Sequence, residues 1–388
     1  MTKRERLLAA TQCQPVDEVP ISTGYLGEWQ NDWKASDPSY AGLLKISKEI
    51  ACGTYFWEPM PKHLIGTEME SLYSSDPVSC PFIYSYTSAS IKVERNIVDD
   101  DRSKKIYTTI HTPKGPIHNM CQVFNGVQTI WQPKHFITND EELERFFSIP
   151  VEEITYDCSG FPRSDALIGE QGIVVVVIPD PLYYAADLFH FGEFVVRAFA
   201  DTSTFIEIMN RFKTPVLSRV RQMVDAGVGH LYRIAGPEYA TPPFLRKDLF
   251  QKFVTEFDQE IIDIIHQGGK LVRLHSHGRV RNVLDEFIKM GVDATDPLEA
   301  PPDGDITIKE AKHILQDKVS IWGNLELKHL ETVSVDEVDN LVLNIMDEGK
   351  NGYGFVIMPT AEPITQPLPE ETAKKYIQYL ISAKKYAK

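Results

Sequence analysis

The chain has 388 residues, 43% of them hydrophobic and 24% charged, with 55 acidic side chains against 40 basic ones and a formal net charge of -15. That length suits two average domains or one α/β barrel carrying an insertion. No apolar run approaches the roughly 18 residues of a membrane span, so no transmembrane helix is expected, and so acidic a chain lacks the basic face that a nucleic-acid backbone demands. The opening MTKRERLLAATQ is basic, then polar and helix-like, without the apolar core or cleavage site of a secretion signal, and a cytoplasmic location is expected. Cys13, Cys52, Cys80, Cys121 and Cys158 are scattered with no CxxC pair, the pattern of buried reduced thiols.

In chain order, the first clear signal lies between Ile91 and Gln122. There SIKVERNIV and KKIYTTIHT alternate around the polar DDDRSK, which predicts an antiparallel hairpin. From about Gly172 onward a strand-then-helix rhythm repeats. GIVVVVIPDP is a continuous apolar run ended by prolines, as in a parallel strand buried on both faces. FGEFVVRAFA and TSTFIEIMNRFKTPVLSRVRQMVDAG then carry helical spacing, and VGHLYRIAGPE is the next strand. Phe250, Phe253, Val254, Phe257, Ile261, Ile264 and Ile265 recur every three or four residues before Gly268-Gly269, which predicts a helix ending there.

KLVRLHSH is again a strand, followed by a helix that carries Val280, Val283, Leu284, Phe287 and Ile288 and stops at Gly291. VDATDPLE, TIKEAKHIL and KVSIWGNLE give another turn of the rhythm. Ser334 with Glu337 has the spacing of a capping box opening a helix through Met346, after which Gly349 to Gly354 lead into the strand FVIMP. Strands alternating with helices imply parallel pairing with right-handed crossovers. The fold expected is a closed (β/α)8 TIM barrel, one domain over residues 1–388, with an inserted antiparallel β hairpin in its first half, the insertion covering about residues 81–135.

His275 and His277 stand two apart at the end of an apolar strand, so they share one face while Ser276 points oppositely. At the C-terminal end of a barrel strand that face is the catalytic mouth. Two imidazoles so spaced can ligate one zinc ion; they can equally be one packed core histidine and one exposed by chance. Other strand ends bring Glu238 with Tyr239, Asp296 with Glu299, Asn324, and Asp180 with Tyr183 and Tyr184. Glu238 is the best third ligand, with a helix-start carboxylate as its alternative. Asp296 and Glu299 suit places behind a ligand or at a helix cap. The tyrosines are candidate proton donors or rim packing, and Asn324 and Asp180 are candidate cofactor-binding residues.

The opening RERLLAATQCQPVDEVPI, the turn LHSHG, FIKMGVDATDPLEAPP, SIWGNLE and the closing GFVIMPTAEPI resemble, in order and spacing, the uroporphyrinogen decarboxylase superfamily over essentially the whole chain. That resemblance implies a (β/α)8 barrel and one of two chemistries: decarboxylation of porphyrinogens without a cofactor, or methyl transfer to or from corrinoid proteins at a zinc site. The decarboxylases carry an arginine-rich loop near the N-terminus that grips the substrate's carboxylates. Here STGYLGEWQNDWKASDPSY has Glu28, Asp32 and Asp37 and no arginine, so a polycarboxylate would meet repulsion there. The branch that delivers methyl groups to thiols has a His-x-Cys pair, where this chain has His277, and a cysteine near the last strand, where MPTAEP has none.

LHSHG together with GPEYATPP resembles the methyltransferases that act first in corrinoid-dependent O-demethylation. The resemblance implies transfer of a methyl group from a small methoxylated substrate, in the first place an aromatic methoxyl, to a corrinoid (cobalamin) cofactor on a partner protein. Zn2+ would be held by Glu238, His275 and His277, and Tyr239, Tyr183 and Tyr184 would be the candidate acids. Association of the chain with itself is compatible with this. The rivals are a lyase of the decarboxylase type, a methylcorrinoid:thiol methyltransferase, and a non-catalytic barrel that shields a corrinoid or methylated ligand.

Overall fold

Seven strands form one parallel sheet in a computed structural model that describes residues 1–67, 88–127 and 129–388. They are β1 (Gly53–Trp57), β2 (Gly172–Pro179), β3 (Leu231–Ala235), β4 (Leu271–Ser276), β5 (Ala294–Pro297), β6 (Ser320–Leu325) and β7 (Phe355–Pro359), neighbours in that order. The ladders of β1 with β2 and of β3 through β7 are parallel, as the strand-helix rhythm requires. This is the curled sheet of a (β/α)8 barrel. The expected eight-strand closure is corrected in one respect: among the described residues the eighth position is held by a single parallel bridge from Ile21 to Ile357. On its other side the Ile21 carbonyl accepts from the Cys52 N–H at 2.8 Å, just before β1.

The apolar run of β2 is buried almost throughout, which is why it shows no alternation in sequence. Inside the sheet, Ile173, Val175, Leu231, Ala294, Trp322, Val356 and Met358 pack into one core with Leu7 and Ala10 of the helix Lys3–Thr11. Arg4 of that helix donates from Nε to the Gly172 carbonyl at 2.9 Å, so the helix closes the N-terminal end of the sheet. The opposite, C-terminal end of the strands is left for chemistry.

The predicted helices are present. The run through Phe250 to Ile265 is helical from Lys247 to Gln267, with a π turn at Gln251–Thr255. Gly291 ends the helix Leu284–Met290 in the left-handed conformation, φ 75°, which a glycine adopts without strain. Ser334 and Glu337 form the expected capping box, and their helix runs on to Gly349, past Met346.

The described residues group into two compact units. One comprises Met1–Glu58, Ser159–Ile178 and Gly227–Lys388 and contains nearly all of the parallel sheet; the other comprises Pro59–Cys158 and Pro179–Ala226. In the second unit the predicted hairpin is present as Lys92–Asp99 paired antiparallel with Ser103–Thr112. Asp100 shapes its turn by accepting from the N–H groups of Arg102 and Ser103, both at 2.8 Å. Gly115–Phe124 and Ile130–Lys134 extend it to a four-stranded sheet. Cys80 and residues 81–87 of the expected insertion lie outside the described residues. No described helix is long and apolar enough to cross a membrane.

Candidate active site

His275 and His277 lie where the alternation of β4 places them, on one side, with ring centroids 4.6 Å apart at 86°. Ser276 points the other way and shares a 2.5 Å hydrogen bond with Thr241. Gly278 then turns the chain at φ 93°, where a Cβ would press against the Pro242 carbonyl.

Each imidazole is held at Nδ1 by a carboxylate from the next strand or the loop that follows it. His275 Nδ1 lies 2.9 Å from Asp296 Oδ2, because the parallel register sets residue 275 beside residue 296. His277 Nδ1 lies 3.0 Å from Glu299 Oε1, whose other oxygen accepts from the Gly278 N–H at 2.9 Å. Burial, then the charge of Arg233, pushes the His275 imidazole below its ordinary pKa. For His277 burial acts in the same sense, but Glu299 outweighs it and the pKa rises.

Asp296 is fully buried. Burial opposes its ionisation, yet Arg273, His275 and Arg233 outweigh that and hold it well below the usual carboxylate range. Arg273 Nε stands 3.0 Å from Oδ1 and Arg233 Nε 3.8 Å from Oδ2, while the Tyr25 hydroxyl donates to Oδ2 at short range. An ionised carboxylate can only accept, so Nδ1 of His275 carries the proton and Nε2 offers its lone pair. That is the arrangement of a carboxylate behind a metal-ligating histidine, and Glu299 repeats it for His277.

The histidine pair therefore fits two positions of a zinc site. The third expected ligand is not gathered to it: Glu238, on the turn Pro237–Tyr239 after β3, accepts from the Gly236 N–H at 3.0 Å through Oε2. Among the described residues no three His, Cys, Asp or Glu side chains are grouped as a ready metal site.

Tyr239 shares the turn of Glu238 and is half-buried. Asn324 is a buried residue near the end of β6. Asp180, Tyr183 and Tyr184 belong to the second unit. There Asp180 caps the helix Pro181–Asp187, accepting from the Tyr183 N–H at 2.6 Å, and the Tyr184 ring stacks on Phe212 with centroids 5.3 Å apart.

Three residues of the cluster were not singled out from sequence: Tyr25, Arg233 and Arg273. The signal was a lone arginine in each of two apolar strands, HLYRIAG and KLVRLHSH, with Arg273 on the same face as His275. Glu326 was also passed over. It follows β6 directly, two residues after Asn324, at the strand's C-terminal end.

Glu326 is buried, and its Oε1 has no hydrogen-bond partner. Burial first, then the charges of Glu299 and Asp303, pushes its carboxyl up to about 7. A carboxyl whose pKa rises on folding holds its proton more tightly in the folded state. It therefore lowers stability as pH climbs from the unfolded value of about 4.3 through 7. Glu326→Gln is expected to match the wild type near pH 4 and to exceed it by ~1–3 kcal/mol at pH 8 in urea denaturation. Equal stability at both pH values would show that the ionised carboxylate is compensated.

The sequence has no significant match among curated proteins. Among solved structures, a methyltransferase from Methanosarcina mazei superposes with a TM-score of 0.58 at 15% identity, covering 99% of this chain and 98% of that one. At that identity the likeness is one of fold. A D-psicose 3-epimerase with D-tagatose from Clostridium cellulolyticum H10 gives a TM-score of 0.31 at 12% identity over 55% of this chain and 88% of its own. A 3-keto-D-glucoside 4-epimerase from E. coli gives 0.34 at 10% over 57% and 84%. The uroporphyrinogen decarboxylase (URO-D) model matches residues 168–382, a span that takes in β2 to β7 with both histidines and their carboxylates. That span exceeds half of the chain, and the chain belongs to the URO-D family.

Proposed function

We propose that the protein transfers a methyl group from a methyl ether, in the first place an aromatic methoxyl, to the cobalt of a corrinoid carried by a partner protein. A zinc ion would be held by His275 and His277 and completed by Glu238. The observation that carries this is the pair of imidazoles at the C-terminal end of β4, each with Nδ1 held by its own carboxylate. When bound, the ion would supply Lewis acidity at the ether oxygen, offsetting the poor leaving tendency of an alkoxide or phenolate.

The chain's own residues do the rest. Asp296 and Glu299 fix the rings and raise the basicity of their Nε2 atoms. Glu238, which accepts from the Gly236 N–H, would join them as third ligand, and Tyr239 on the same turn would be the proton donor to the departing oxygen. Asn324 would contact the corrinoid from β6. A histidine where the thiol-methylating branch has a cysteine favours an oxygen substrate, since imidazole and carboxylate leave zinc more Lewis acidic than thiolates do. The acidic balance of the chain would steer a partner surface of opposite charge.

Zinc analysis of the purified protein, followed by spectrophotometry of a cobalt(I) corrinoid mixed with a methoxylated aromatic, tests this. Stoichiometric zinc is expected, with methyl transfer abolished by chelation and restored by zinc. Undiminished transfer by metal-free protein, or carbon dioxide release from a porphyrinogen, overturns it.

A further inference from the structure

The inserted antiparallel sheet ends in two edge strands of unlike character. Ile130–Lys134, at one edge, contains Pro133, which lacks the N–H a further strand would need and so blunts that side. Lys92–Asp99, at the other edge, has eight residues and no proline. Asn96, Ile97, Val98 and Asp99 are exposed in succession, Ile97 by 42% and Val98 by 45%. A long edge with bare apolar side chains is a template for another strand.

The turn of the hairpin fixes which way this edge points. Asp100 donates its N–H to the Ser103 carbonyl at 3.0 Å, and the ladder continues with Val98 opposite Lys105 and Asn96 opposite Tyr107. Antiparallel bonding alternates along a strand, so the even residues bond the neighbouring strand while the odd ones turn N–H and C=O away from it. Among the described residues, no backbone bond from outside the hairpin reaches Ile97 or Asp99.

The charges of the strand select what pairs with it. It opens on Lys92 and closes on Asp99, with Asp100 and Asp101 directly after. A second copy laid antiparallel therefore sets a basic beginning against an acidic end, and a two-fold axis repeats the match. Side chains must stay on their own face of the joined sheet, so opposed residues differ by an even number of positions. Centring on Asn96 puts Lys92 opposite Asp100 and Ile97 opposite Arg95 of the copy. Centring on Ile97 would oppose Glu94 to Asp100, and centring on Arg95 would oppose that guanidinium to itself. Asn96 can meet its own copy, because its amide both donates and accepts.

We propose that two copies of the chain pair antiparallel through Lys92–Asp99 about a two-fold axis at Asn96, joining their four-stranded sheets edge to edge. The strand lies outside residues 168–382, the span matched to the URO-D family, and the pairing is independent of the methyl-transfer reading.

Sedimentation velocity of the full-length protein over a concentration series tests this. Wild type is expected to pass from 44.1 kDa to twice that mass as its concentration rises through roughly 1–100 μM, the strength of a small interface. Ile97→Pro removes an N–H that points away from the hairpin, so it should leave the hairpin in place and abolish the dimer, while Ile97→Thr keeps it. Lys92→Glu sets like charges opposite each other at both ends and should weaken association about 10-fold. Under mild oxidation Asn96→Cys should be trapped as a disulfide-linked dimer where wild type is not, since a non-hydrogen-bonded pair at the axis brings its Cβ atoms within about 5 Å.

A wild type that stays monomeric up to about 100 μM overturns the proposal, as does a dimer that survives Ile97→Pro undiminished. Circular dichroism shows whether each variant folds. Should Ile97→Pro fail to, the Asn96→Cys cross-link and the Lys92→Glu shift decide, and the absence of both overturns the pairing.

Discussion

Replacing His275 and His277 together with alanine is expected to remove zinc from the protein, leave it folded, and lower methyl transfer by roughly 10³-fold or more, the several kcal/mol that a Lewis acid contributes. The two rings are held through their Nδ1 contacts and their mutual edge-on packing, with Tyr25 edge-on to His275 as well. Asp296 keeps Arg273 and the Tyr25 hydroxyl when His275 is lost, so the buried charge is not stranded. Glu299 keeps the Gly278 N–H when His277 is lost. Metal analysis and circular dichroism of the double variant give the answer. Full zinc occupancy without either imidazole would sink the ligand assignment. A graded result is expected from Glu299→Ala, which leaves both rings but frees one: its zinc affinity should fall 10–100-fold.

Asp296→Asn is expected to cost about 3–5 kcal/mol of stability, measured as a fall in the urea midpoint at unchanged slope. The substitution preserves shape and removes one negative charge from a place with no solvent exposure. Arg273, whose Cζ lies 4.3 Å over the Trp322 ring, and Arg233 would then be two buried cations facing a neutral amide. His275 would also lose the ionised acceptor that fixes its tautomer, so zinc affinity should fall along with stability. A loss below ~1 kcal/mol would show that the guanidiniums are compensated by other groups.

How much of this was legible in the amino-acid order follows from the range of the forces involved. The helix through Phe250 to Ile265 and the capping box at Ser334 and Glu337 depend on residues within one or two turns, and a reader of the chain finds them. The buried run of β2 announces a strand covered on both faces, and the two-residue spacing of His275 and His277 already puts both rings on one side. The class of fold follows from the alternation of such elements.

What the chain order could not give was which carboxylate meets which imidazole, because that is set by strand register. Asp296 reaches His275 across 21 residues and Glu299 reaches His277 across 22, both through the β4–β5 ladder and its loop. Tyr25 meets Asp296 across 271 residues, a contact created only when the chain curls until Ile21 bridges to β7. The pairing of β1 with β2, Gly53 beside Gly172, likewise spans the second unit and has no local sign. The meeting of Arg233 and Arg273 at Asp296 is of the same kind. In sequence each arginine is a lone polar residue in an apolar strand; only the register sets two of them against one acid, because electrostatic energy in a buried site depends on distances that no stretch of sequence contains.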